Sequence, residues 1–326
     1  MSKKKKILVI FGGPSFEHEI SCRSARTILE NIDYKKYEVT TFGITKNNIW
    51  YIYNDSLDTL TNNWLDGNIT KIDNIIEYLK SFDKVFPIMH GNPVENGDIE
   101  GLFNLFNIKY VGTNLLGSII GYDKAITKVI CAENNIPQVP YIVITDKKPL
   151  KEISIDYPVI IKPAKCGSSI GINIANNIKE VNKYVKLAFE YDNKVIIEKF
   201  IKARELECAV LDHHKLIASP VGEIKSINTF YDYEAKYIAD SKLLIPAPIS
   251  KEITKEIQEL AIKIFKVLEL KDLSRIDFLY DYNESKLYFN EVNTMPGFTS
   301  ISMYPMLFKE YGISIKELIT ILLENE

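Results

Sequence analysis

The stretch VIIKPAKCGSSIG, residues 159–171, decides which fold the sequence predicts. It has the pattern of a buried strand that ends at Lys162, followed by a loop of small residues and a second strand. Lys162 supplies a fixed positive charge, while Gly167, Ser168 and Ser169 let backbone N–H groups and hydroxyls approach phosphate oxygens closely. The G-x-x-x-x-G-K-[ST] pattern of a Walker loop is absent. Taken alone, the stretch fits a phosphate cover and an ordinary tight hairpin turn about equally well.

The sequence on both sides of this stretch indicates three units. The first third alternates apolar runs with helical patterns, which predicts a doubly wound parallel sheet with ligand sites at the turns 12–13 and 90–91. The stretch itself lies in a small α+β unit, and the last third predicts another. Strands are predicted over 7–11, 39–44, 85–89, 108–111, 158–162, 170–175, 195–200, 205–210, 274–280 and 286–291, and helices over 21–29, 97–106, 123–134, 178–191, 251–268 and 314–323. The predicted domain limits are 1–122, 123–213 and 214–326.

Composition narrows the class of protein. A chain of 326 residues with 46% hydrophobic content can build more than one core, as a globular enzyme does. The net charge of −3 argues against nucleic acid as a partner. No apolar run approaches the roughly 20 residues of a membrane span, so a cytoplasmic location is expected. The four cysteines match neither a zinc site nor a disulfide framework.

Polar residues at the ends of two late strands predict a metal site. Strand alternation places Arg275 and Asp277 on one face of the first strand, and Glu291 and Asn293 on one face of the next. If the two faces meet, two carboxylates and one amide oxygen converge, which suits Mg²⁺ held jointly with nucleotide phosphates. The alternative is a cross-strand salt-bridge network on an exposed face.

Two further segments have the chemistry of a substrate site. Residues 12–21 follow the first strand and open a helix, so an anion can approach the helix N-terminus while Glu17 holds an ammonium. An ordinary strand–helix turn explains the same residues. Residues 229–237 are polar and aromatic, which predicts a lid that excludes water and brings Lys236 to the transferred group. The alternative is a surface loop.

Together these segments resemble the D-alanine–D-alanine ligases of the ATP-grasp superfamily, and the resemblance spans essentially the whole chain. It implies an α/β and α+β protein: an N-terminal doubly wound parallel-sheet domain for substrate, a small central α+β lid domain, and a C-terminal α+β catalytic domain. The matching segments, in family order, are 12–21, 90–101, 123–124, 162–171, 198–201, 230–237, 275–277 and 291–302.

The resemblance also implies a role for each site residue. ATP contacts are implied for Lys124, Lys162, Glu198, Lys199, Phe200, Ile201, Glu205, Phe289 and Asn290, with the first two on phosphates, Glu198 to Ile201 facing adenine and Glu205 on the ribose. Asp277, Glu291 and Asn293 are implied to hold two Mg²⁺ ions, for which Mn²⁺ is a possible substitute. The implied catalytic set is Glu17, Ser168, Lys236, Tyr237, Arg275, Gly297 and Ser302.

The implied reaction joins two D-alanines through an acyl phosphate, for peptidoglycan precursor synthesis. Glu17 binds the first ammonium, with Ser168 and Tyr237 in a hydrogen-bonded cluster, while Arg275 and the Gly297 N–H stabilise the oxyanion. Ser302 holds the second carboxylate. The resemblance further implies a homodimer through the N-terminal domain.

Departures and alternatives qualify this interpretation. The family's Gly-Glu-Asp-Gly stretch is Val94-Glu95-Asn96-Gly97 here, which leaves His90 either near the first substrate or purely structural. D-lactate and D-serine are alternative second substrates, although Tyr237 favours D-alanine. A non-catalytic ATP-binding regulatory protein is a further alternative. A dinucleotide-dependent oxidoreductase is rejected because G-x-G-x-x-G is absent after the first strand.

Overall fold

The computed structural model describes residues 3–61, 63–225 and 242–325, and these form three β-sheets with helices packed on them. The strands are β1 Lys5–Gly12, β2 Tyr37–Ile44, β3 Trp50–Tyr53, β4 Ile69–Lys71, β5 Lys84–Pro87, β6 Tyr141–Ile144, β7 Val159–Pro163, β8 Asn173–Ala175, β9 Val195–Lys199, β10 Arg204–His213, β11 Lys215–Lys225, β12 Lys242–Leu244, β13 Leu273–Asp281 and β14 Lys286–Asn293. The helices are α1 His18–Asn31, α2 Ile75–Leu79, α3 Asp98–Leu105, α4 Leu115–Tyr122, α5 Lys124–Glu133, α6 Ile178–Ala188, α7 Lys251–Val267, α8 Met303–Tyr311 and α9 Ile315–Glu324.

The first sheet has the order β4-β3-β2-β1-β5. Its centre is parallel, as predicted, because β1 pairs in parallel with β2 and β5. The short strands β3 and β4 join antiparallel at one edge and were not predicted. Residues 108–111 form no strand, and only an isolated parallel bridge links Val85 to Tyr110. The carboxyl ends of β1 and β5 open at the turns 12–13 and 90–91, where the sequence predicts a ligand.

The second sheet is antiparallel, in the order β6-β9-β7-β8. Helix α6 packs against β7 and β8, and these elements enclose a small core of their own. Strands β7 and β9 therefore hold Lys162 and Glu198 on one rigid frame, and the loop of small residues leaves from the end of β7.

The third sheet has the order β12-β11-β10-β13-β14 and is antiparallel in every pair. The consecutive strands predicted over 195–200 and 205–210 are also expected from the sequence to pair with each other, but they do not, because β10 pairs with β11 and β13 while β9 pairs with β6 and β7. The predicted limit at 213/214 falls within the β10–β11 hairpin. The limits of the three domains stay a prediction.

Strand β10 is buried on both faces. Cys208 and Val210 share a core with α7, whereas Ala209 and Leu211 face the core that includes α8. That second core is continuous with the one under the first sheet, so the first and third sheets are packed together. None of the helices described in the structure has the length and apolar character to cross a membrane.

Candidate active site

Two adjoining cavities lie where the three sheets meet. The first, about 280 Å³, is bounded by the turns after β1 and β5, the loop after β7 and the segment after β14. The second, about 590 Å³, lies between the second and third sheets. Of the predicted site residues, the first cavity is lined by Glu17, Lys124, Ser168, Arg275, Glu291, Asn293 and Gly297, and the second by Lys124, Lys162, Ser168, Glu198, Lys199, Phe200, Ile201, Glu205, Asp277, Asn290 and Glu291. Three of these residues belong to both sets, so the cavities share a boundary.

Two of the described site residues, Phe289 and Ser302, line neither cavity. Phe289 is 1% exposed and packs in the core beneath the third sheet. Ser302 occupies the N-cap position of α8 without a side-chain capping bond, and its hydroxyl accepts a hydrogen bond from the Thr299 N–H at 3.0 Å. Lys236 and Tyr237 lie outside the described residues.

A serine–carboxylate pair closes the first cavity. The Ser168 hydroxyl donates to Glu17 Oε1 at 2.6 Å, which joins the loop after β7 to the start of α1. Ser168 and Ser169 have φ of 53° and 57°, a left-handed conformation that costs energy in residues other than glycine. The contact with Glu17 helps to hold that loop over the cavity.

His90 has a structural position. Its Nδ1 lies 2.9 Å from the Met295 carbonyl, so Nδ1 is the protonated nitrogen and Nε2 accepts from the Ser24 hydroxyl at 3.0 Å. Ser24 Oγ in turn accepts from the Phe298 N–H at 3.2 Å. Burial lowers the pKa of His90, which favours this neutral form. The ring thereby fixes the segment that contains Gly297.

Arg275 is the centre of a buried charge network. It donates to both oxygens of Asp277 at 2.8 Å, and its Nε lies 2.9 Å from Glu207 Oε2. Asn293 donates to Asp277 at 3.0 Å. Burial by itself would lower the pKa of Arg275, but Asp277 and Glu207 outweigh it and raise that pKa, so the guanidinium stays charged. Glu207 was missed by the sequence analysis, although it faces Asp277 across β10 and β13.

The three predicted metal ligands share one face of the third sheet. In the β13–β14 ladder, Asp277 lies opposite Glu291 and Arg275 lies opposite Asn293, and residues two apart on a strand point the same way. Glu291 also pairs with Lys124 at 3.4 Å. The described residues contain no group of three or more His, Cys, Asp or Glu side chains placed to hold a metal. This face of the third sheet therefore offers two carboxylates and one amide side chain to a metal ion.

Lys124 begins α5 and links the sheets. Its ammonium donates to the Cys166 carbonyl at 2.9 Å, which anchors the loop after β7. Burial raises the pKa of the Cys166 thiol, so the group is held as a thiol.

A third carboxylate that lines the first cavity, beside Glu17 and Glu291, is Glu95. Burial, reinforced by Glu17, raises its pKa to about 7, so it gains or loses a proton near neutral pH.

A buried ion triad lies at the wall of the second cavity, which Lys162 and Glu198 line with Lys128 behind them. Glu198 Oε2 lies 2.8 Å from the Lys162 ammonium, and Glu198 Oε1 lies 2.7 Å from that of Lys128. Burial by itself would raise the pKa of Glu198, but Lys162 and Lys128 outweigh it and lower that pKa. Lys128 was missed by the sequence analysis; its spacing of one helical turn from Lys124 was the available signal.

Comparison with known proteins assigns the class. The family models for the N-terminus and the C-terminus of D-ala D-ala ligase match residues 6–113 and 130–324. A D-alanine–D-alanine ligase of Acetivibrio thermocellus is 42% identical, with 99% of this chain and 96% of that protein covered.

Solved structures agree. The VanG D-Ala:D-Ser ligase of Enterococcus faecalis superposes with a TM-score of 0.90 at 36% identity, over 98% of this chain and 99% of that one. The D-alanine–D-alanine ligase of Bacillus anthracis complexed with ATP superposes with a TM-score of 0.78 at 26% identity, over 98% of this chain and 96% of that one.

The fold is the ATP-grasp fold, and the protein is a ligase enzyme. The chain belongs to the D-alanine–D-alanine ligase family, as its sequence predicted.

Proposed function

We propose that this ligase joins two D-alanines, with ATP as the energy source and an acyl phosphate as the intermediate. One observation supports this most directly: the Glu17–Ser168 pair, Arg275 and Gly297 line a cavity that adjoins a second cavity containing Lys162. A site for a small zwitterion thus lies beside a site for polyphosphate. A carboxylate is a poor acyl donor, so the carboxylate of the zwitterion must be activated by phosphoryl transfer from the polyphosphate.

The second cavity is proposed to hold ATP. Lys124 and Lys162 provide positive charge for the phosphates, and the strand end at 198–201 provides the wall for adenine. Glu205 lines the same cavity and is proposed to bind the ribose, and Asn290 lines this cavity as well. Phe289 acts from the core beneath, by supporting β14.

Mg²⁺ is proposed at Asp277, Glu291 and Asn293, as two ions for which Mn²⁺ can substitute. Mg²⁺ in proteins is usually held by one or two carboxylates together with substrate phosphates, and this face offers two carboxylates and an amide. When bound, the ions supply charge neutralisation for phosphoryl transfer.

The chain's own residues then have separable tasks. Glu17 binds the ammonium of the first D-alanine, and Ser168 keeps that carboxylate oriented. Arg275 and the Gly297 N–H stabilise the oxyanion that forms when the second amine attacks. Lys236 and Tyr237 are proposed to complete the site from the predicted lid, and Ser302 to hold the second carboxylate.

A direct assay tests the proposal. Purified protein is incubated with Mg²⁺-ATP and D-alanine, and phosphate release and dipeptide mass are measured, with L-alanine, D-serine and D-lactate in parallel. D-alanyl-D-alanine as the main product is the expected result. A D-serine or D-lactate product would reassign the second substrate, and ATP binding without any product would favour the regulatory alternative.

A homodimer in the cytoplasm is also proposed. Exposed apolar residues Leu105, Leu116 and Ile119 lie on the adjoining helices α3 and α4, with exposed fractions of 74%, 48% and 43%. The four free cysteines suit a reducing compartment. Light scattering should give twice the chain mass, and Leu116→Glu should shift it toward the monomer. A wild-type monomer at micromolar concentration would contradict the dimer.

A further inference from the structure

Helix α5 contains two lysines near the nucleotide cavity, of which Lys124 lines it. Lys124 and Lys128 are four residues apart and so lie on one face, but they reach different partners. Lys124 contacts the loop after β7 and Glu291. Lys128 turns toward the second sheet, where its ammonium meets Glu198 on β9 and lies 5.1 Å from the centre of the Tyr141 ring on β6. Tyr141 and Glu198 are direct neighbours in the β6–β9 ladder.

The triad of Lys128, Glu198 and Lys162 has an unequal charge balance. Two ammonium groups share one carboxylate, each bound to a different oxygen, and the three side chains are only 1%, 3% and 7% exposed. Water therefore screens these charges weakly. The excess positive charge is directed at the second cavity, because Lys162 and Glu198 line it while Lys128 lies behind.

Without Lys128 the balance would change. Glu198 and Lys162 would form a neutral pair, and the Lys162 ammonium would be drawn to the carboxylate rather than to an incoming anion. A buried carboxylate that loses one of two cationic partners interacts more strongly with the one that remains.

We propose that Lys128 is a positioning residue: by occupying one oxygen of Glu198, it leaves the Lys162 ammonium oriented toward the phosphates of ATP. Lys128 itself does not touch the nucleotide. This inference rests on the proposed ATP site and adds a residue that the sequence motifs do not contain.

The test compares ATP with adenosine, which lacks phosphates. Lys128→Met should weaken ATP binding by about tenfold or more, the scale expected for loss of a charged contact, and should change adenosine binding by less than about twofold. The KM for ATP should rise correspondingly, with a smaller effect on kcat. Lys128→Arg keeps the charge and should recover most of the ATP affinity.

A charge-balance variant makes the test sharper. In a Glu198→Gln background the carboxylate charge is gone, so adding Lys128→Met should no longer weaken ATP binding. The comparison is made between Glu198→Gln and the double variant, so it does not depend on how well the Lys128→Met single variant folds.

A matched control separates local from global effects. Lys84 is likewise buried, at 7% exposure, but donates to the carbonyls of Leu322 and Asn325 at the far end of the first sheet. Lys84→Met should lower stability and leave the KM for ATP unchanged.

Three outcomes would overturn the inference. Lys128→Met could leave the ATP affinity unchanged, or it could weaken ATP and adenosine binding equally. It could also weaken ATP binding as much in the Glu198→Gln background as in the wild-type background. Absence of ATP binding by the wild-type protein would instead contradict the proposed nucleotide site.

Discussion

The Ser168–Glu17 hydrogen bond leads to a first prediction. Ser168→Ala removes the 2.6 Å donor to Glu17 and frees a loop that is held in a left-handed conformation. Loss of a hydrogen bond to a charged group is worth about 1.5–3 kcal/mol, so kcat/KM for D-alanine should fall about tenfold or more. Steady-state kinetics measure this, with Ser81→Ala as the control, because the Ser81 hydroxyl donates to the Tyr78 carbonyl and lines neither cavity. Equal effects of the two substitutions would argue against a specific role for Ser168.

Glu100 leads to a second prediction, about pH. It is 1% exposed, its Oε2 has no hydrogen-bond partner among the described residues, and burial raises its pKa from 4.5 to about 9. The pKa of Glu100 is therefore higher in the folded protein than in the unfolded chain. Protonated Glu100 contributes stability that is fully present below pH 4.5 and is lost as the pH rises toward 9.

Glu100→Gln removes this titration. The melting temperature of the variant minus that of the wild type should therefore increase as the pH increases from 5 to 9. Thermal denaturation at matched ionic strength measures this difference. A difference between the two proteins that stays constant over this range would show that Glu100 does not titrate as proposed.

At the scale of the element, α5 contains Lys124, which lines both cavities, and Lys128, which pairs with Glu198. The Asp123 side chain caps it by accepting from the N–H groups of Ala125 and Ile126, at 3.1 and 3.3 Å. It also pairs with Lys194, in the turn before β9. The cap thus positions the first turn, which contains Lys124, relative to the second sheet.

Asp123→Ala should lower the free energy of unfolding by about 1 kcal/mol for the cap, and further for the ion pair. Asp123→Asn should keep the cap and lose only the ion pair. Urea denaturation distinguishes the two variants. The KM for ATP should rise more in Asp123→Ala than in Asp123→Asn. Similar stabilities for the Ala and Asn variants would mean that the cap contributes little.

At the scale of the whole molecule, the two cavities lie between the sheets. Bound ligands should therefore stabilise the packing of the three sheets against one another. Mg²⁺-ATP at about 100 times its Kd should stabilise the folded protein by about 2.7 kcal/mol. EDTA should remove most of this, because the proposed Mg²⁺ site needs the metal to engage the phosphates. Differential scanning calorimetry with ATP, EDTA and adenosine in parallel tests it, and an ATP effect insensitive to EDTA would contradict a metal-linked site.

Much of the fold was predictable because local patterns are strong there. The apolar run of β1, the cap at Asp123 and the loop after Lys162 each specify their own structure. Strands β3, β4 and β6 were not predicted, since they are three or four residues long and mostly half-buried. The pairing of β10 was also beyond the sequence, because ladder partners are set by packing on both faces.

By itself, the sequence determined the residue types of the site and their order, because eight segments in one order are far more specific than any one of them alone. Only the tertiary structure decided their partners. Glu198 meets Lys128 as well as Lys162, Arg275 meets Glu207, and both nitrogens of His90 are engaged by the protein. The physical reason is that charge balance and burial depend on distances between side chains that are remote in the chain, and those distances exist only once the three sheets have packed together.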